Sequence, residues 1–161
     1  KMNSVLGEFN KFTIPRVSQL SLRSNQFNLR TIRYSEEDLF RIVGYDNYKT
    51  FSFNLDDKFG DNGLISALVL KKENNKSLFI ENWFMSCRVL KRGVEHFVLN
   101  TIVNYAKENN FKFLKGEYVK TPKNELVKNH YLDLGFIERN NFYILELRNF
   151  KPHNTHINGK N

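Results

Sequence analysis

The sequence has a single cysteine, Cys87, in 161 residues, so no disulfide can form within the chain. This cysteine and the four histidines show no metal-ligand spacing, and we therefore predict no metal site. No apolar run approaches the ~20 residues that span a bilayer, and no signal-peptide pattern opens the chain. These absences predict a cytoplasmic protein without a membrane segment.

The positive net charge is compatible with several kinds of partner. Lysine and arginine number 25 against 17 acidic residues, a formal charge of +8. Such a charge can attract nucleic acid, an anionic membrane, a phosphorylated small molecule or an acidic protein. The basic residues are spread along the whole chain, and the sequence has neither an aromatic RNA-binding motif nor a recognition-helix pattern. We therefore predict no nucleic-acid partner and no membrane partner.

Hydrophobic periodicity predicts a single α/β domain over residues 1–150. Apolar residues make up 40% of the chain and aromatic residues 14%, which is enough for a packed core. The predicted order is β-α-α-β-β-β-α-β-α-β-β, a mixed sheet of about seven strands with about four helices. The tail 151–161 has no core-forming pattern and is predicted to be mobile. The strands are predicted at 4–12, 51–55, 64–70, 78–87, 111–119, 136–138 and 142–147, and the helices at 14–27, after Ser35, after Gly93 and after Thr121.

The clearest predicted helix follows Gly93. Apolar residues recur with helical spacing from Val94 to Ala106 and form one stripe. The strands before and after this helix are predicted to be parallel, because a crossover helix joins them. A later helix is predicted from an N-cap at Thr121, and it would place Asn124 and Tyr131 on one face.

Basic residues surround the start of the helix after Gly93. Arg88, Lys91 and Arg92 precede the glycine, and the first amides of a helix can bind a phosphate group without any special side chain. The same pattern is also typical of a solvated basic turn. Likewise, Tyr131 is either a core aromatic or a hydroxyl that contacts an extended, thiol-terminated arm. The spacing alone leaves these alternatives open.

Two motifs resemble those of the GNAT acyltransferase fold. Residues 88–93 (RVLKRG) resemble its acyl-CoA pyrophosphate motif, and residues 124–136 (NELVKNHYLDLGF) resemble a later motif. The first motif departs from the usual pattern, since Lys91 stands where a glycine is common and could crowd the pyrophosphate or form a salt bridge with it. The resemblance implies a GNAT-like fold, with coenzyme A or the phosphopantetheine of an acyl carrier protein as the cofactor.

Longer segments resemble the C-terminal half of FkbH-like proteins, and this similarity covers nearly all of residues 9–148. Such proteins usually join a haloacid-dehalogenase-type phosphatase half to a GNAT-like half. They are associated with moving a glyceryl unit onto the phosphopantetheine thiol of an acyl carrier protein. The Asp-x-Asp motif of the phosphatase half does not occur here, so the resemblance implies the acyltransferase half, acting on a small acyl donor. The segments are 15–20 (PRVSQL), 25–29 (NQFNL), 33–34 (RY), 58–64 (KFGDNGL), 86–95 (SCRVLKRGVE) and 116–124 (GEYVKTPKN).

The resemblance also implies roles for individual residues. Tyr131 would return a proton to the leaving thiolate, and Asn124 would bind the amide-rich arm. Glu117 is the candidate base, although a structural carboxylate paired with arginine or lysine explains it equally well. Cys87 is a third catalytic candidate, because a thiolate near positive charge can take an acyl group, but a lone cysteine is more often a small buried apolar residue. The phosphate end of the cofactor would be held by the backbone of Leu90, Lys91, Arg92, Gly93 and Val94, with the side chains of Arg88 and Arg92 in support.

A basic rim suits an acyl carrier protein, which presents an acidic helix beside its phosphopantetheine. A solvated rim would have the same sequence. Residues 58–63 and 25–28 are predicted to line the acyl-substrate side, although a polar strand-to-strand turn that needs glycines explains 58–63 equally well. The alternative function is a non-catalytic module that docks the carrier protein for a separate or detached phosphatase half. The rim would consist of Arg88, Lys91, Arg92, Lys120 and Lys123.

Overall fold

A mixed sheet forms the centre of the fold in this computed structural model, which describes residues 2–57, 60–90, 92–155 and 157–160. The strands are β1 Met2–Gly7, β2 Tyr48–Asp57, β3 Gly60–Lys72, β4 Ser77–Met85, β5 Phe113–Gly116, β6 Ile137–Arg139, β7 Phe142–Glu146 and β8 Ile157–Lys160. The helices are α1 Ile14–Arg23, α2 Glu36–Val43, α3 Val94–Glu108 and α4 His130–Asp133. The strands stand in the order β6-β7-β5-β4-β3-β2-β1-β8. Among the described helices, none is long and apolar enough to cross a membrane.

β3 shows why helices cover both faces of the sheet. Leu68 and Leu70 belong to the larger apolar cluster, which includes the buried residues of α3. Ala67 and Val69 belong to a second cluster, with residues of α1 and α2. All four side chains are fully buried. A strand that is buried on both faces needs a continuous apolar run rather than an alternating one, and residues 64–70 supply it.

The sheet opens where β4 and β5 stop pairing. These two strands are parallel, as predicted for strands joined by α3, and they pair over three residues. Segment 27–29 enters the gap beyond them. The amide of Leu29 donates to the Trp83 carbonyl (3.2 Å), and the Leu29 carbonyl accepts from the amide of Val119 (2.8 Å). The chain itself therefore bridges the opening between β4 and the segment that follows β5.

Local sequence signals are confirmed where they specify a cap or a turn. Ser35 and Asp38 form a reciprocal capping box at the start of α2. Asn140 and Asn141 have positive φ angles of 52° and 68°, as a two-residue hairpin turn requires, and they join β6 to β7. The longest helix, α3, begins directly after Gly93. Each of these features depends on neighbouring residues only.

The helix predicted after Thr121 is wrong in its length. This region contains a short 3-10 turn, Glu125–Val127, followed by the four-residue α4, so Asn124 and Tyr131 do not share a helix face. The side-chain oxygen of Asn124 accepts from the amide of Thr121 (2.7 Å), and asparagine commonly offers the backbone such an alternative to helical bonding. The first helix is also shorter than predicted, because residues 27–29 extend into the sheet.

The C-terminal segment packs more closely than its composition predicted. β8 pairs in parallel with β1, and Ile157 is only 5% exposed. Asn100 of α3 exchanges two hydrogen bonds with the backbone of His153, at 2.8 and 2.9 Å. The prediction that residues 151–161 do not join the core is thus corrected in part. Backbone pairing and the buried Ile157 attach this segment to the domain and add a strand to the sheet. Its mobility stays a prediction.

Candidate active site

A cavity of about 600 Å³ begins at the N-terminal end of α3. Gly93 stands at this end with a φ of +85°, in the left-handed region that glycine adopts without strain. The cavity extends from Leu90 and Gly93 across His96 to His130 of α4. Helical φ and ψ angles start at Val94, so the first turn of α3 directs its backbone amides towards this end. A cavity thus begins at the helix start where the sequence predicted phosphate binding, and the binding itself stays a prediction.

The charged groups around this end are of both signs. Arg88 is exposed and Arg92 is half-buried, and both precede the helix. Glu95, in the first turn of α3, lines the cavity. Its carboxylate already interacts with the positive end of the helix and would repel a bound phosphate. Lys91 lies outside the described residues, so its predicted contact with a pyrophosphate stays a prediction. Among the described residues, no group of three His, Cys, Asp or Glu side chains could hold a metal ion.

Tyr131 is buried beside the opening of the sheet. Its side chain is 2% exposed, and its ring lies over Gly116 at the end of β5, where a Cβ atom would come within 2.4 Å of the Tyr131 Cζ. Among the described residues its hydroxyl has no hydrogen-bond partner. Burial raises the pKa of Tyr131, an effect that Arg30 opposes and Glu117 reinforces. The phenol therefore remains protonated at neutral pH, so it can give up a proton but cannot act as a base.

Glu117 is ion-paired. The Nε atom of Arg30 donates to its carboxylate at 3.0 Å, and both side chains are about one quarter exposed. Arg30 also donates to the Glu81 carbonyl (2.9 Å), so it links the segment in the gap to β4. An ion pair of this kind is what a structural role for Glu117 requires. The Glu117 carboxylate is also close enough to Tyr131 to raise the pKa of its hydroxyl.

Asn124 is fully engaged with the protein. Its oxygen accepts from the Tyr118 hydroxyl (3.0 Å) and the Thr121 amide (2.7 Å). Its amide group donates to the carbonyls of Asn28 (3.2 Å) and Val119 (2.9 Å). The residue is 0% exposed. The side chain of Asn124 therefore has a structural role instead of the predicted contact with the cofactor arm. It holds residues 118–124 against segment 27–29.

Cys87 does not line the cavity at Gly93. It follows β4 in a 3-10 turn and is exposed, so the alternative interpretation of a small buried apolar residue is wrong. It lines a second, larger cavity of about 1000 Å³ together with residues of segment 24–27. Phe27 borders both cavities and is 1% exposed. The sequence placed segment 25–28 on the substrate side. Residues 25–27 border this larger cavity, and the binding of a substrate there stays a prediction.

Sequence reasoning missed two buried polar features of the site. Asn82 of β4 donates to the Asn28 side chain at 2.8 Å, and both are almost completely buried. His130 lies edge-on to the rings of Phe27 and Trp83, with centroids 4.8 and 4.4 Å away. Asn82 stands among the apolar residues of 78–85, and this was the signal that could have indicated the buried pair of asparagines. No signal in the sequence indicated that His130 would be buried.

Acid is expected to destabilise the fold through His130. Burial, reinforced by His96, lowers the pKa of His130 to about 3, whereas in the unfolded chain it is ~6.5. Only the unfolded state takes up the proton between these values, so the stability present above pH ~6.5 is lost as the pH falls, with a slope of at most about 1.4 kcal/mol per pH unit.

At pH 5 the expected loss is about 2 kcal/mol in the free energy of unfolding. Urea unfolding of the wild type and of His130→Leu, each at pH 7 and pH 5, measures it. The variant should show the smaller pH dependence, and equal pH dependence in both proteins would contradict the assignment.

Solved structures match this fold, whereas no model of a known protein family and no curated protein matches the sequence. The ribosomal-protein-S18-alanine N-acetyltransferase of Escherichia coli matches with a TM-score of 0.67 and 12% identity, over 89% of this chain and 94% of that one. Spermidine N-acetyltransferase of Vibrio cholerae, solved with CoA and spermine, matches with 0.65 and 12%, over 90% and 96%. An N-acetyltransferase of Staphylococcus aureus matches with 0.63 and 17%, over 91% and 99%. At these identities the similarity concerns the fold, and the chain has the GNAT acyltransferase fold that its motifs predicted.

Proposed function

We propose that this domain is an acyltransferase that takes its acyl group from a thioester of coenzyme A or of a phosphopantetheine arm. The observation that carries the proposal is the cavity of about 600 Å³ between the start of α3 and His130, which is next to Tyr131 in the chain. Its volume is in the usual range for a small-molecule site, and its position suits an arm with an anionic end at the helix start. Spermidine N-acetyltransferase of the same fold was solved with CoA, which supports the choice of cofactor.

The proposed reaction is a direct displacement at the thioester carbonyl. A nucleophile attacks the carbonyl carbon, the C–S bond breaks, and the leaving thiolate needs a proton. Tyr131 is assigned as the donor of that proton, because burial keeps its hydroxyl protonated. The nucleophile loses its own proton in the same reaction, so the proton count balances. Glu117 remains the candidate acceptor of that proton, and its pair with Arg30 favours the structural role that the sequence also allowed.

The finer identity of the acyl group and donor follows from the FkbH-like resemblance. We propose a glyceryl or similarly small acyl unit and an acyl carrier protein as the bearer of the phosphopantetheine. Exposed Arg88, Lys120 and Lys123 support such a partner, because carrier proteins present acidic surfaces. In this proposal a separate or detached phosphatase half acts with the transferase.

Binding of coenzyme A tests the site directly. We expect coenzyme A to bind at least about tenfold more tightly than pantetheine, which lacks the pyrophosphate that the helix start would hold. Titration calorimetry of both compounds measures the difference. Arg92→Glu should remove most of it, whereas Lys72→Glu, the same charge reversal at the far end of β3 from Gly63, should leave it unchanged.

Equal affinity for the two compounds would contradict the phosphate site at the start of α3. The alternative function, a non-catalytic module that docks the carrier protein, predicts binding of the holo carrier protein without any change in its mass. The Tyr131 variant described in the Discussion separates that module from a transferase.

A further inference from the structure

The larger cavity, of about 1000 Å³, shares Phe27 with the cavity proposed to hold the thioester. One face of α1 forms one of its walls, through residues 16, 19, 20 and 23. Gly63 and Leu64 of β3, the turn that holds Cys87, and Pro122 and Lys123 form the others. An acceptor bound here would lie next to the proposed thioester site, because Phe27 lines both cavities.

The charges that line this cavity have one sign. Every charged side chain among the described residues of its lining is a cation: Arg16, Arg23, Arg88 and Lys123. Residues 16, 19 and 23 project from one face of α1, because they are spaced at i, i+3 and i+7. A neighbouring cavity of about 260 Å³ adjoins it at Ser24, Asn25, Pro122 and Lys123 and adds Arg33. The remaining polar groups of the main lining are uncharged amides, hydroxyls and the thiol of Cys87.

Hydrogen bonds fix the conformation of segment 24–33, whose residues line these two adjoining cavities. Asn28 donates to the Ile32 carbonyl at 3.0 Å and accepts from Asn82 at 2.8 Å. The guanidinium of Arg33 donates to the Asn25 side chain at 2.6 Å. Thr31 has a φ of 58°, a conformation that is strained for a β-branched residue. Strain of this kind persists only where surrounding contacts enforce it, and it is commonest at ligand sites.

We propose that this cavity binds the acyl acceptor, and that the acceptor is a small molecule carrying a phosphate or carboxylate group near its nucleophile. The inference rests on the proposed function, because it names the substrate class of the same reaction. Arginines on α1 pair with the anionic group, while the amides of Gln19, Asn25 and Gln26 leave room for uncharged polar parts. A polycation is excluded by the same charges.

Matched amines test the charge of the acceptor without requiring catalysis. Titration calorimetry compares O-phosphoethanolamine, ethanolamine and spermidine, all of which carry a primary amine. We expect O-phosphoethanolamine to bind at least about tenfold more tightly than ethanolamine, and its affinity to fall as salt is added. Spermidine binding as tightly as the phosphorylated amine would overturn the proposal.

Charge reversal on α1 locates the binding site. Arg16→Glu and Arg23→Glu should each lower the affinity for O-phosphoethanolamine at least about fivefold, and Lys72→Glu is the control with the same change in net charge. Both α1 side chains are exposed, and equal melting temperatures of the three variants confirm that they fold. Unchanged affinity in both α1 variants would overturn the assignment.

The two proposals fail separately. Saturating coenzyme A should leave the affinity for O-phosphoethanolamine unchanged, and competition between them would overturn the separate acceptor cavity. If coenzyme A binds but the phosphorylated amine does not, the acceptor class is wrong and the thioester site stands. If the phosphorylated amine binds as expected and coenzyme A does not, the anion-binding cavity stands and the proposed function is wrong.

Discussion

Replacing Tyr131 by phenylalanine is expected to lower the rate of acyl transfer by about 10²–10⁴-fold, the usual contribution of a positioned proton donor. The same change should leave the free energy of unfolding unchanged or raise it by about 1 kcal/mol, because it removes a buried hydroxyl that has no partner among the described residues. A residue with a purely structural hydroxyl would show the opposite combination, with stability lost and the rate retained.

Mass spectrometry of an acyl-loaded carrier protein, or of coenzyme A thioesters, measures the transfer as loss of the acyl group from the thiol, and urea unfolding measures the stability. Tyr143→Phe is the control, since this ring stacks on Tyr131 with centroids 5.5 Å apart but has no assigned role. Transfer at the wild-type rate in Tyr131→Phe would remove Tyr131 from the mechanism. A wild-type domain that binds the carrier protein and never changes its mass would favour the docking module.

Cys87→Ala, measured in the same assay, distinguishes a direct transfer from one that passes through an acyl-cysteine. The thiol is exposed in the larger cavity, and a covalent intermediate would add the mass of the acyl group to the domain itself. Direct displacement predicts no such adduct and a near-normal rate in this variant.

Replacing Gly116 by alanine is expected to destabilise the fold by about 3 kcal/mol, the upper end of the usual cost of overpacking. The new Cβ would come within 2.4 Å of Tyr131 Cζ and 2.7 Å of its Cε1, so the ring must move. Tyr131 has little room to do so, because Phe136 and Tyr143 flank it with centroids at 4.9 and 5.5 Å. The acyl-transfer rate should fall with the displacement of the phenol.

Urea unfolding at pH 7 measures the effect, with Gly7→Ala as the control, where a new Cβ would meet only the Ser52 hydroxyl among the described residues, at 3.9 Å. The double variant Gly116→Ala/Tyr131→Leu should recover part of the lost stability, because leucine lacks the atoms that the new Cβ meets. A cost below about 1 kcal/mol for Gly116→Ala would show that the ring can shift freely.

The parts of the fold that the sequence predicted correctly depend on short-range interactions. The Ser35 capping box, the two asparagines between β6 and β7, and the start of α3 after Gly93 each involve residues within a few positions of one another. The prediction failed after Thr121, where Asn124 bonds to the backbone around it rather than to a helix. Helical spacing cannot reveal that competition, because the pattern of apolar residues is compatible with either outcome.

The sequence alone determined the fold class, the position of α3 and the reason for a glycine before it, since periodicity and backbone preference are properties of neighbouring residues. Tertiary structure decided what the candidate residues do. Asn124 contacts Asn28 across 96 positions, and Arg30 pairs with Glu117 across 87. These contacts place segment 27–29 in the opening of the sheet, where Phe27 lines both cavities. Contacts over such distances along the chain form only when the whole core packs, so no local pattern encodes them.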